Sequence, residues 1–326
     1  MNASGQNNYR GLQPAGRAAL VLGGSGFIGS ALRRRLAKEE SAVTVLSRNP
    51  ASTSMAFSDE NWIHGDFGDT NLVSSLLTPG INVYHLISNS SPAVGNWDVE
   101  IDIRDTVLPT LRLLKAAVEA RVGKMIYVSS GGTIYGNPGV LPIPETAPTE
   151  PISAYGVGKL TIEKYLLLFA IHHGLDSRIL RVANPYGPGQ NPKGKQGVVA
   201  NLIGQGLSGE PFQIWGDGSV ARDFVHVDDV ALALSMVSRY DGPMRVFNVG
   251  SGQARQIAAI ARDVEVTLGL TSHPRLHHES RGFDVPVNYL DIARIGEEVR
   301  WAPQTPWMSG LAQTADWIRN LDGQGQ

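Results

Sequence analysis

The 326-residue chain contains no cysteine. Disulfide bonds and thiolate chemistry are therefore excluded, and the composition fits a reducing compartment, so a cytoplasmic protein is expected. No apolar run approaches the roughly 18 residues that a membrane-spanning helix needs, and we expect no membrane association. Residues 1–16 are polar and lack the apolar core of a signal peptide, which predicts a flexible tail.

The sequence also lacks an excess of basic residues. Its 28 lysines and arginines are scattered and are balanced by 30 aspartates and glutamates, for a formal net charge of −2. The one basic run, at 33–35, is typical of a solvated helix face, so no nucleic-acid partner is expected. Adjacent histidines occur at 172–173 and 277–278, but neither pair has the spacing of two zinc ligands on one helix face, and no metal site is predicted.

Hydrophobic residues make up 42% of the chain, which is enough for a large packed core. Short apolar runs alternate with helix-period segments through the first half, and this alternation predicts an α/β fold with a Rossmann-like, doubly wound parallel sheet. The predicted strands are 18–22, 42–47, 61–64, 83–88, 124–130 and 177–182. The predicted helices are 26–39, 69–77, 100–121, 153–173, 198–208, 228–239, 256–268 and 306–320.

The second half of the chain has a different composition. Segments 184–197 and 270–290 are rich in proline, glycine and polar residues, which is typical of loops around a ligand. We therefore expect a dinucleotide-binding Rossmann domain over 17–183, which also receives parts of 223–250, and a smaller α/β substrate-binding lobe over 184–326.

The first apolar run ends in three glycines spaced by three residues, Gly23, Gly26 and Gly29, and a helix-period segment follows at once. In such a strand–turn–helix unit, the first glycine allows the turn and the second lets a diphosphate approach the backbone. The third lets the helix and the strand pack closely. Free N–H groups of the first helical turn hold the phosphates, so the pattern predicts a dinucleotide site.

Tyr155 and Lys159 form a Tyr-x-x-x-Lys pair at the start of a predicted helix, and this spacing puts both side chains on one helix face. A tyrosine with a usual pKa near 10 acts as a base at neutral pH only where cations favour the phenolate. The lysine and a positively charged nicotinamide ring would both do so. The alternative is a pair of exposed neighbours without a role. A Val-Ser-Ser-Gly-Gly-Thr-Ile-Tyr-Gly motif, residues 128–136, follows the predicted strand that precedes this pair.

With these motifs the chain resembles the extended short-chain dehydrogenase/reductases of the NAD(P)-dependent epimerase/dehydratase family, particularly the UDP-hexose 4-epimerases and related nucleotide-sugar enzymes. The resemblance covers residues 18–320. It implies a nicotinamide cofactor, a nucleotide-diphospho-sugar substrate, Tyr155 as the catalytic acid/base and Lys159 as the cation that orients it and lowers its pKa. It also implies a homodimer, in which the apolar helices predicted at 100–121 and 153–173 pair with their copies as a four-helix bundle.

The resemblance also implies binding residues on both sides of the cleft. Those implied for the cofactor are Gly23, Gly26, Phe27, Ile28 and Gly29 at the diphosphate, Asp66 at the adenine, and Phe67, Leu86, Tyr155 and Lys159. Those implied for the substrate are Asn184 at the sugar nucleotide, Trp215 at the base, Arg222 and Arg281 at the diphosphate, and Asp284 as a second acid. Two separated arginines suit a diphosphate, because each guanidinium presents a planar fork to phosphate oxygens. For Trp215 a plain core role stays open.

The sequence departs from the family at three places. Gly131 stands where the family usually has the catalytic serine or threonine, so the hydroxyl that bonds the reacting oxygen is assigned to Ser130. The alternatives are Ser129, Thr133 and a water. We expect a serine at position 131 to be tolerated. Residues 86–90 lack the usual pair of small residues, and Thr106 replaces an asparagine that often lies near the nicotinamide ribose.

The second predicted strand ends in Ser47 and Arg48. NAD-dependent enzymes carry an acid at this point, about 20 residues after the glycine turn, and it binds the ribose 2′-hydroxyl. Ser47 has no charge to repel a 2′-phosphate, and Arg48 is able to pair with one. The sequence therefore favours NADP. This favours a reductase, because UDP-hexose epimerases of the family usually keep NAD bound.

Three functions follow from these observations. The first is a nucleotide-sugar 4-epimerase that acts on a UDP-hexose by transient oxidation at C4. The alternative is an NADPH-dependent 4-ketoreductase of nucleotide-4-keto-6-deoxysugars, and the second alternative is a non-catalytic cofactor-binding regulator. A dehydratase is discounted, because Gly131 and Gly132 stand where it would need an Asp-Glu pair.

Overall fold

The computed structural model describes residues 18–39, 41–49, 60–88, 99–194, 196–280 and 285–322. The tail predicted at 1–16 and two implied substrate residues, Arg281 and Asp284, lie outside these ranges. Within them, no helix has both the length and the hydropathy needed to cross a membrane.

The described residues form thirteen strands and ten α-helices. The strands are β1 (Ala19–Leu22), β2 (Val43–Ser47), β3 (Glu60–His64), β4 (Asn82–His85), β5 (Lys124–Ser130), β6 (Ser177–Val182), β7 (Asn184–Tyr186), β8 (Phe212–Trp215), β9 (Ala221–His226), β10 (Val246–Val249), β11 (Ala254–Gln256), β12 (Arg275–His278) and β13 (Val287–Asn288). The helices are α1 (Phe27–Lys38), α2 (Thr70–Ser75), α3 (Val99–Asp102), α4 (Leu108–Glu119), α5 (Ala154–His173), α6 (Val198–Ser208), α7 (Val227–Ser238), α8 (Ile257–Leu268), α9 (Ala293–Val299) and α10 (Trp307–Asp322). One π-helical turn, Ile103–Val107, joins α3 to α4.

Seven parallel strands form the central sheet in the order β10-β6-β5-β4-β1-β2-β3, which confirms the predicted doubly wound α/β fold. The strand order reverses beside β1, because β2 and β3 follow it on one side whereas β4, β5 and β6 extend on the other. Ligands of such sheets bind at the carboxyl ends of the strands next to this reversal. The residues that follow β1, β4 and β5 therefore define the candidate site.

Apolar side chains cover both faces of the sheet. In β1, Ala19 and Val21 belong to one buried cluster, whereas Leu20 and Leu22 belong to another. Successive side chains of a strand point to opposite faces, so the two clusters lie on opposite sides of the sheet. A strand buried on both faces reads as a continuous apolar run, which is why the sequence predicted this sheet.

The helix predicted at 100–121 is interrupted. The N–H of Leu108 bonds the carbonyl of Ile103, five residues back, and so forms the π-helical turn between α3 and α4. Pro109 follows at once. Proline has no N–H and its ring clashes with the carbonyl four residues earlier, so an unbroken α-helix is not possible here. The strand predicted at 83–88 also ends early, because the chain leaves the sheet after His85 to pass the glycine turn.

The second lobe contains two small sheets. Strand β9 pairs with β7, β11 and β13, and β8 pairs with β12. Helices α6, α8 and α10 pack on these sheets around a core that includes Phe212 and Phe224. Between the two sets of strands the chain returns to the main sheet, where α7 packs on α1 and β10 pairs with β6. Helix α9 and strands β7 to β13 were not predicted, and β7, β12 and β13 lie within the segments expected to be loops.

Candidate active site

The glycine turn connects β1 to α1. Gly23 has a φ of +87°, a conformation that glycine adopts without strain. A side chain at Gly29 would overlap the carbonyl of Gly23, so this glycine allows the close helix–strand contact. Gly26 is the N-cap residue of α1, and no side chain there bonds the free N–H groups at the start of the helix. No acidic residue lies in the first turn. The N–H groups of this turn therefore fit the diphosphate of a dinucleotide, as predicted for Phe27 and Ile28.

Ser47 and Arg48 end β2 beside this turn. The hydroxyl of Ser47 is buried and lies 2.9 Å from that of Ser25. Arg48 is exposed and lies near enough to Asp105 to help lower the pKa of that carboxyl, a shift caused mainly by Arg104. No carboxylate is present at residues 47–49. This edge therefore has the uncharged and basic character that the sequence indicated.

Asp66 and Phe67 follow β3. Asp66 is exposed, and its carboxylate accepts a hydrogen bond from the N–H of Gly68 at 2.6 Å. Phe67 is buried with its ring centroid 5.0 Å from that of His85. The side chain of Phe67 thus belongs to the core, and only its backbone is placed to meet a ligand. Leu86 lies against the glycine turn. Its carbonyl carbon would be 3.3 Å from the Cβ atom of a side chain placed at Gly23.

Tyr155 lies in the first turn of α5, whose N-cap Ser153 accepts a hydrogen bond from the N–H of Gly156 at 3.1 Å. The hydroxyl-bearing side chains that influence the Tyr155 hydroxyl are those of Ser88 and Ser130. Burial raises the pKa of Tyr155 to about 12, although both serine hydrogen bonds lower it. Without further positive charge, Tyr155 is therefore a phenol at neutral pH.

Lys159 lies one turn further along α5 and is buried. Its ammonium group donates to the carbonyl of Val128 at 3.0 Å and lies 5.7 Å from the ring centroid of Tyr155. Burial lowers the pKa of Lys159 to about 8, against the opposing effect of the Asp102 and Glu163 carboxylates. At neutral pH the group is thus mainly protonated, and it places a cation beside the tyrosine.

Asp102 is a buried carboxylate that the sequence analysis missed. A side chain on Gly158 would overlap the Asp102 carboxylate, so the glycine between Tyr155 and Lys159 makes room for it. Its negative charge raises the pKa of both Tyr155 and Lys159. Gly158, a glycine inside a helix-period segment, was the sequence signal for this contact.

Thr106 lies within the π-helical turn. Its carbonyl accepts a hydrogen bond from the Thr110 hydroxyl at 2.7 Å, and that hydroxyl is 2.8 Å from Nε2 of His85. The Thr106 hydroxyl is buried and has no hydrogen-bond partner within the described ranges. Burial, with the nearby Lys159 charge, lowers the pKa of His85 to about 3, so this ring is neutral.

Gly131 and Gly132 follow β5 in different surroundings. A side chain on Gly131 would begin 2.6 Å from Cδ1 of Leu290 and 3.0 Å from the carbonyl oxygen of Arg181. These contacts with the second lobe argue against the expectation that serine is tolerated at position 131, because Leu290 would have to move. At Gly132 the nearest atoms would be Oδ1 of Asn184 at 3.9 Å and Oγ of Ser130 at 4.0 Å. The structure thus places Asn184 and Ser130 on either side of Gly132.

Replacing Gly131 with serine is expected to lower the free energy of unfolding by about 1–3 kcal/mol, the usual cost of overpacking. Thermal or urea unfolding measures this change. Gly132→Ala is the matched control, because a methyl group there makes only ordinary contacts. Unchanged stability of Gly131→Ser would contradict the packing argument.

Trp215 and Arg222 belong to the second lobe. Trp215 ends β8 with 42% of its surface exposed, and its ring stacks on His278 at a centroid distance of 5.0 Å. It is not a core residue, and it offers a flat surface to a ligand. Arg222 lies in β9, half-buried, and donates to the carbonyl of Val285 at 2.5 Å.

A family model described as the NAD dependent epimerase/dehydratase family matches residues 19–250. The chain belongs to this family. It is an extended short-chain dehydrogenase/reductase, which confirms the resemblance seen in the motifs, and enzymes of this kind act on sugar nucleotides with a nicotinamide cofactor.

Individual proteins that are similar to this chain support its assignment to the family. UDP-glucose 4-epimerase of Mycolicibacterium smegmatis is 34% identical over 309 residues, covering 92% of this chain and 98% of that protein. The crystal structure of UDP-glucose 4-epimerase from Thermotoga maritima with UDP-glucose has a TM-score of 0.87 at 32% identity, covering 93% of this chain and 99% of that one. The crystal structure of UDP-glucose 4-epimerase from Thermus thermophilus in complex with NAD has a TM-score of 0.85 at 29% identity, covering 93% of this chain and 99% of that one.

Proposed function

We propose that this protein is a nucleotide-sugar 4-epimerase that acts on a UDP-hexose by transient oxidation at C4. The observation that carries the proposal is the placement of Tyr155 one helical turn from buried Lys159, whose ammonium group lies 5.7 Å from the tyrosine ring centroid. This group lies at the ends of β4 and β5, beside the glycine turn that fits a dinucleotide diphosphate. The likeness to several UDP-glucose 4-epimerases over nearly the whole chain supports the same choice.

A bound nicotinamide would supply reversible hydride acceptance and a positive ring charge. Tyr155 would take the proton of the sugar 4-hydroxyl and later return it. A protonated Lys159, 5.7 Å from the ring centroid of Tyr155, would favour the phenolate form that this step needs, because a nearby positive charge stabilises a negative one. Hydrogen bonds from Ser88 and Ser130 also lower the pKa of Tyr155 and so favour the phenolate.

The second lobe would hold the substrate. Arg222 has the planar, charged fork that recognises a diphosphate, and Trp215 has an exposed ring on which a base can stack. Asn184 and Ser130 both lie about 4 Å from the side-chain position of Gly132, so Asn184 would contact the sugar nucleotide on this side of the site. Arg281 and Asp284 complete the proposed set from outside the described residues.

The proposed cofactor preference is NADP over NAD, on the grounds of uncharged Ser47 and exposed Arg48. Calorimetry is expected to show NADP binding at least about tenfold tighter, which one charge-assisted phosphate contact can supply. Ser47→Asp should reverse the preference, because a carboxylate repels the 2′-phosphate and binds the ribose hydroxyls. A wild-type protein that binds NAD more tightly would show that Arg48 contacts no phosphate.

The same residues favour one alternative, an NADPH-dependent ketoreductase of a nucleotide-4-keto-6-deoxysugar. The two functions make opposite demands on the cofactor, since an epimerase regenerates it in every cycle whereas a reductase must release the oxidised form. Incubation of the purified protein with UDP-glucose or UDP-N-acetylglucosamine, without added cofactor, should give the 4-epimer. Absence of epimer with NAD or NADP supplied, together with NADPH consumption on a 4-keto-6-deoxysugar nucleotide, would establish the reductase instead.

We also propose that the protein is a homodimer through α5 and the α3–α4 segment, which pack on each other. Both elements carry large apolar side chains exposed to solvent. These exposed residues are Val99, Ile101, Ile103, Leu108, Val157, Leu168 and Ile171. Burial of this face against a second copy would form the four-helix bundle that the resemblance implies.

Sedimentation at micromolar concentration is expected to give twice the chain mass. Ile171→Glu should shift the protein towards the monomer, because Ile171 is 78% exposed and its replacement puts a charge in the proposed interface. Val266→Glu is the matched control, since this residue is 71% exposed on α8 of the other lobe. A wild-type mass of one chain would rule out the dimer.

A further inference from the structure

Arg33 is the buried member of the basic run at 33–35. The sequence predicted a solvated helix face for this run, but Arg33 is only 1% exposed. A buried guanidinium is costly unless its charge is paired and its N–H groups are hydrogen-bonded. The groups that Arg33 contacts therefore indicate why the chain carries a charge at this position.

The charge of Arg33 is paired with Glu60 at the start of β3. Nε and Nη2 of the guanidinium donate to the two carboxylate oxygens of Glu60 at 2.9 and 2.6 Å. The same carboxylate accepts a hydrogen bond from Nε1 of Trp62 at 3.1 Å, and the guanidinium carbon lies 4.5 Å from the centroid of the Trp62 ring. A bidentate pair of this kind fixes the plane of the guanidinium, and so fixes the direction in which Nη1 points.

Nη1 of Arg33 reaches the glycine turn. It donates to the carbonyl of Gly24 at 3.2 Å, in the segment that connects β1 to α1. Packing keeps the two residues close, since a side chain at Gly24 would begin 2.6 Å from Cγ1 of Val45 and 3.1 Å from Cδ of Arg33. The absence of a side chain at Gly24 thus leaves room for Arg33 to lie against the turn.

We propose that Arg33 is a positioning residue for the dinucleotide site, because its hydrogen bond to Gly24 fixes the peptide group that follows in the turn. The C=O and N–H groups of a trans peptide point in opposite directions. A Gly24 carbonyl that points to buried Arg33 therefore directs the N–H of Ser25 away from the interior, towards the edge where the diphosphate would bind. The inference rests on the proposed cofactor role of this turn and not on the identity of the sugar.

The expected effect of Arg33 differs from that of Ser47. Gly24 precedes Ser25 and the N-cap residue Gly26, in the part of the turn that would meet the diphosphate, and NAD and NADP share this group. Weaker positioning of the turn should therefore reduce the affinity for both cofactors by the same factor. Ser47→Asp is instead expected to change the ratio of the two affinities, since it acts on the 2′-phosphate.

Calorimetry with NAD and NADP, on variants of the 33–35 run, tests the inference. Arg33→Met is expected to raise the Kd of both cofactors about tenfold, an effect of the size that one hydrogen bond from a charged group supplies. Arg34→Met is the matched control, because Arg34 lies on the same helix with its side chain 37% exposed, in a surface ion pair with Asp228. Its Kd values should stay within a factor of about two of the wild-type values, since surface pairs contribute little.

A double variant separates positioning from stability. Arg33→Met alone leaves the Glu60 carboxylate buried without its guanidinium and is expected to unfold at a lower temperature. Arg33→Met combined with Glu60→Met removes both charges, so most of the stability should return. Weak cofactor binding should persist in the double variant, because the bond to Gly24 is still absent. Recovery of the wild-type Kd values there would overturn the proposal, since Arg33 would then only support the fold.

Hydrogen exchange of the cofactor-free protein gives a readout that needs no ligand. The amides at 24–26 should exchange about threefold faster in the double variant than in Arg34→Met, because the turn has lost a contact that holds it closed. Equal exchange in the two variants would contradict the positioning role. Unchanged Kd values in Arg33→Met would overturn this inference alone, whereas a wild-type protein that binds neither NAD nor NADP would overturn the proposed cofactor site together with it.

Discussion

Replacement of Tyr155 with phenylalanine is expected to lower kcat by at least about 100-fold while cofactor and UDP affinity stay within a factor of about two. The change keeps the ring that packs at the start of α5 and removes the hydroxyl whose pKa Ser88 and Ser130 lower. No other described tyrosine shares this pair of serine partners next to the glycine turn, so another side chain would not replace it.

Steady-state kinetics with calorimetry on the same preparations measure both quantities. Tyr165→Phe is the matched control, because Tyr165 lies on the same helix, is exposed and loses the same single oxygen. Near-normal turnover of Tyr155→Phe would show that the acid/base group has been misassigned.

Replacement of Lys159 with methionine is expected to lower kcat by about 100-fold and to move the pH optimum upward. Removal of the cation raises the pKa of Tyr155, so a higher pH is needed for the same fraction of phenolate. The direction is fixed by the sign of the charge, since a nearby positive charge stabilises the phenolate and its loss destabilises it. Burial has already lowered the Lys159 pKa to about 8, so wild-type activity should also decline as this lysine deprotonates at higher pH.

The pH–rate profile of Lys159→Met, recorded beside wild type, gives the shift. Lys164→Met is the control on the same helix, because Lys164 is exposed. An unshifted optimum with a reduced rate would mean that Lys159 supports the fold or the cofactor and not the tyrosine pKa.

The sheet and its glycine turn were predictable because their causes are local. Buried parallel strands read as apolar runs, and the φ of Gly23 and the packing at Gly29 leave only glycine at those positions. The shared helix face of Tyr155 and Lys159 was equally predictable, because residues four apart on a helix lie on the same face.

The contacts that the sequence did not show are those between distant segments. Asp102 reaches Gly158 because α3 packs on α5. Leu290 packs against Gly131 from the second lobe, which argues against the expected tolerance to serine. Neither the hydrophobic period of a segment nor the spacing of its residues predicts such contacts, because each contact depends on how the helices and strands pack.

The central claim is that the sugar is oxidised at C4 and that the same hydrogen returns to that carbon. The direct measurement is the conversion of UDP-glucose deuterated at C4, in ordinary water, followed by mass spectrometry and NMR of the product. The account predicts a 4-epimer that keeps the deuterium at C4, formed by wild type and lost in Tyr155→Phe. A 4-epimer with protium at C4, or no epimer from an enzyme loaded with NAD or NADP, would contradict it.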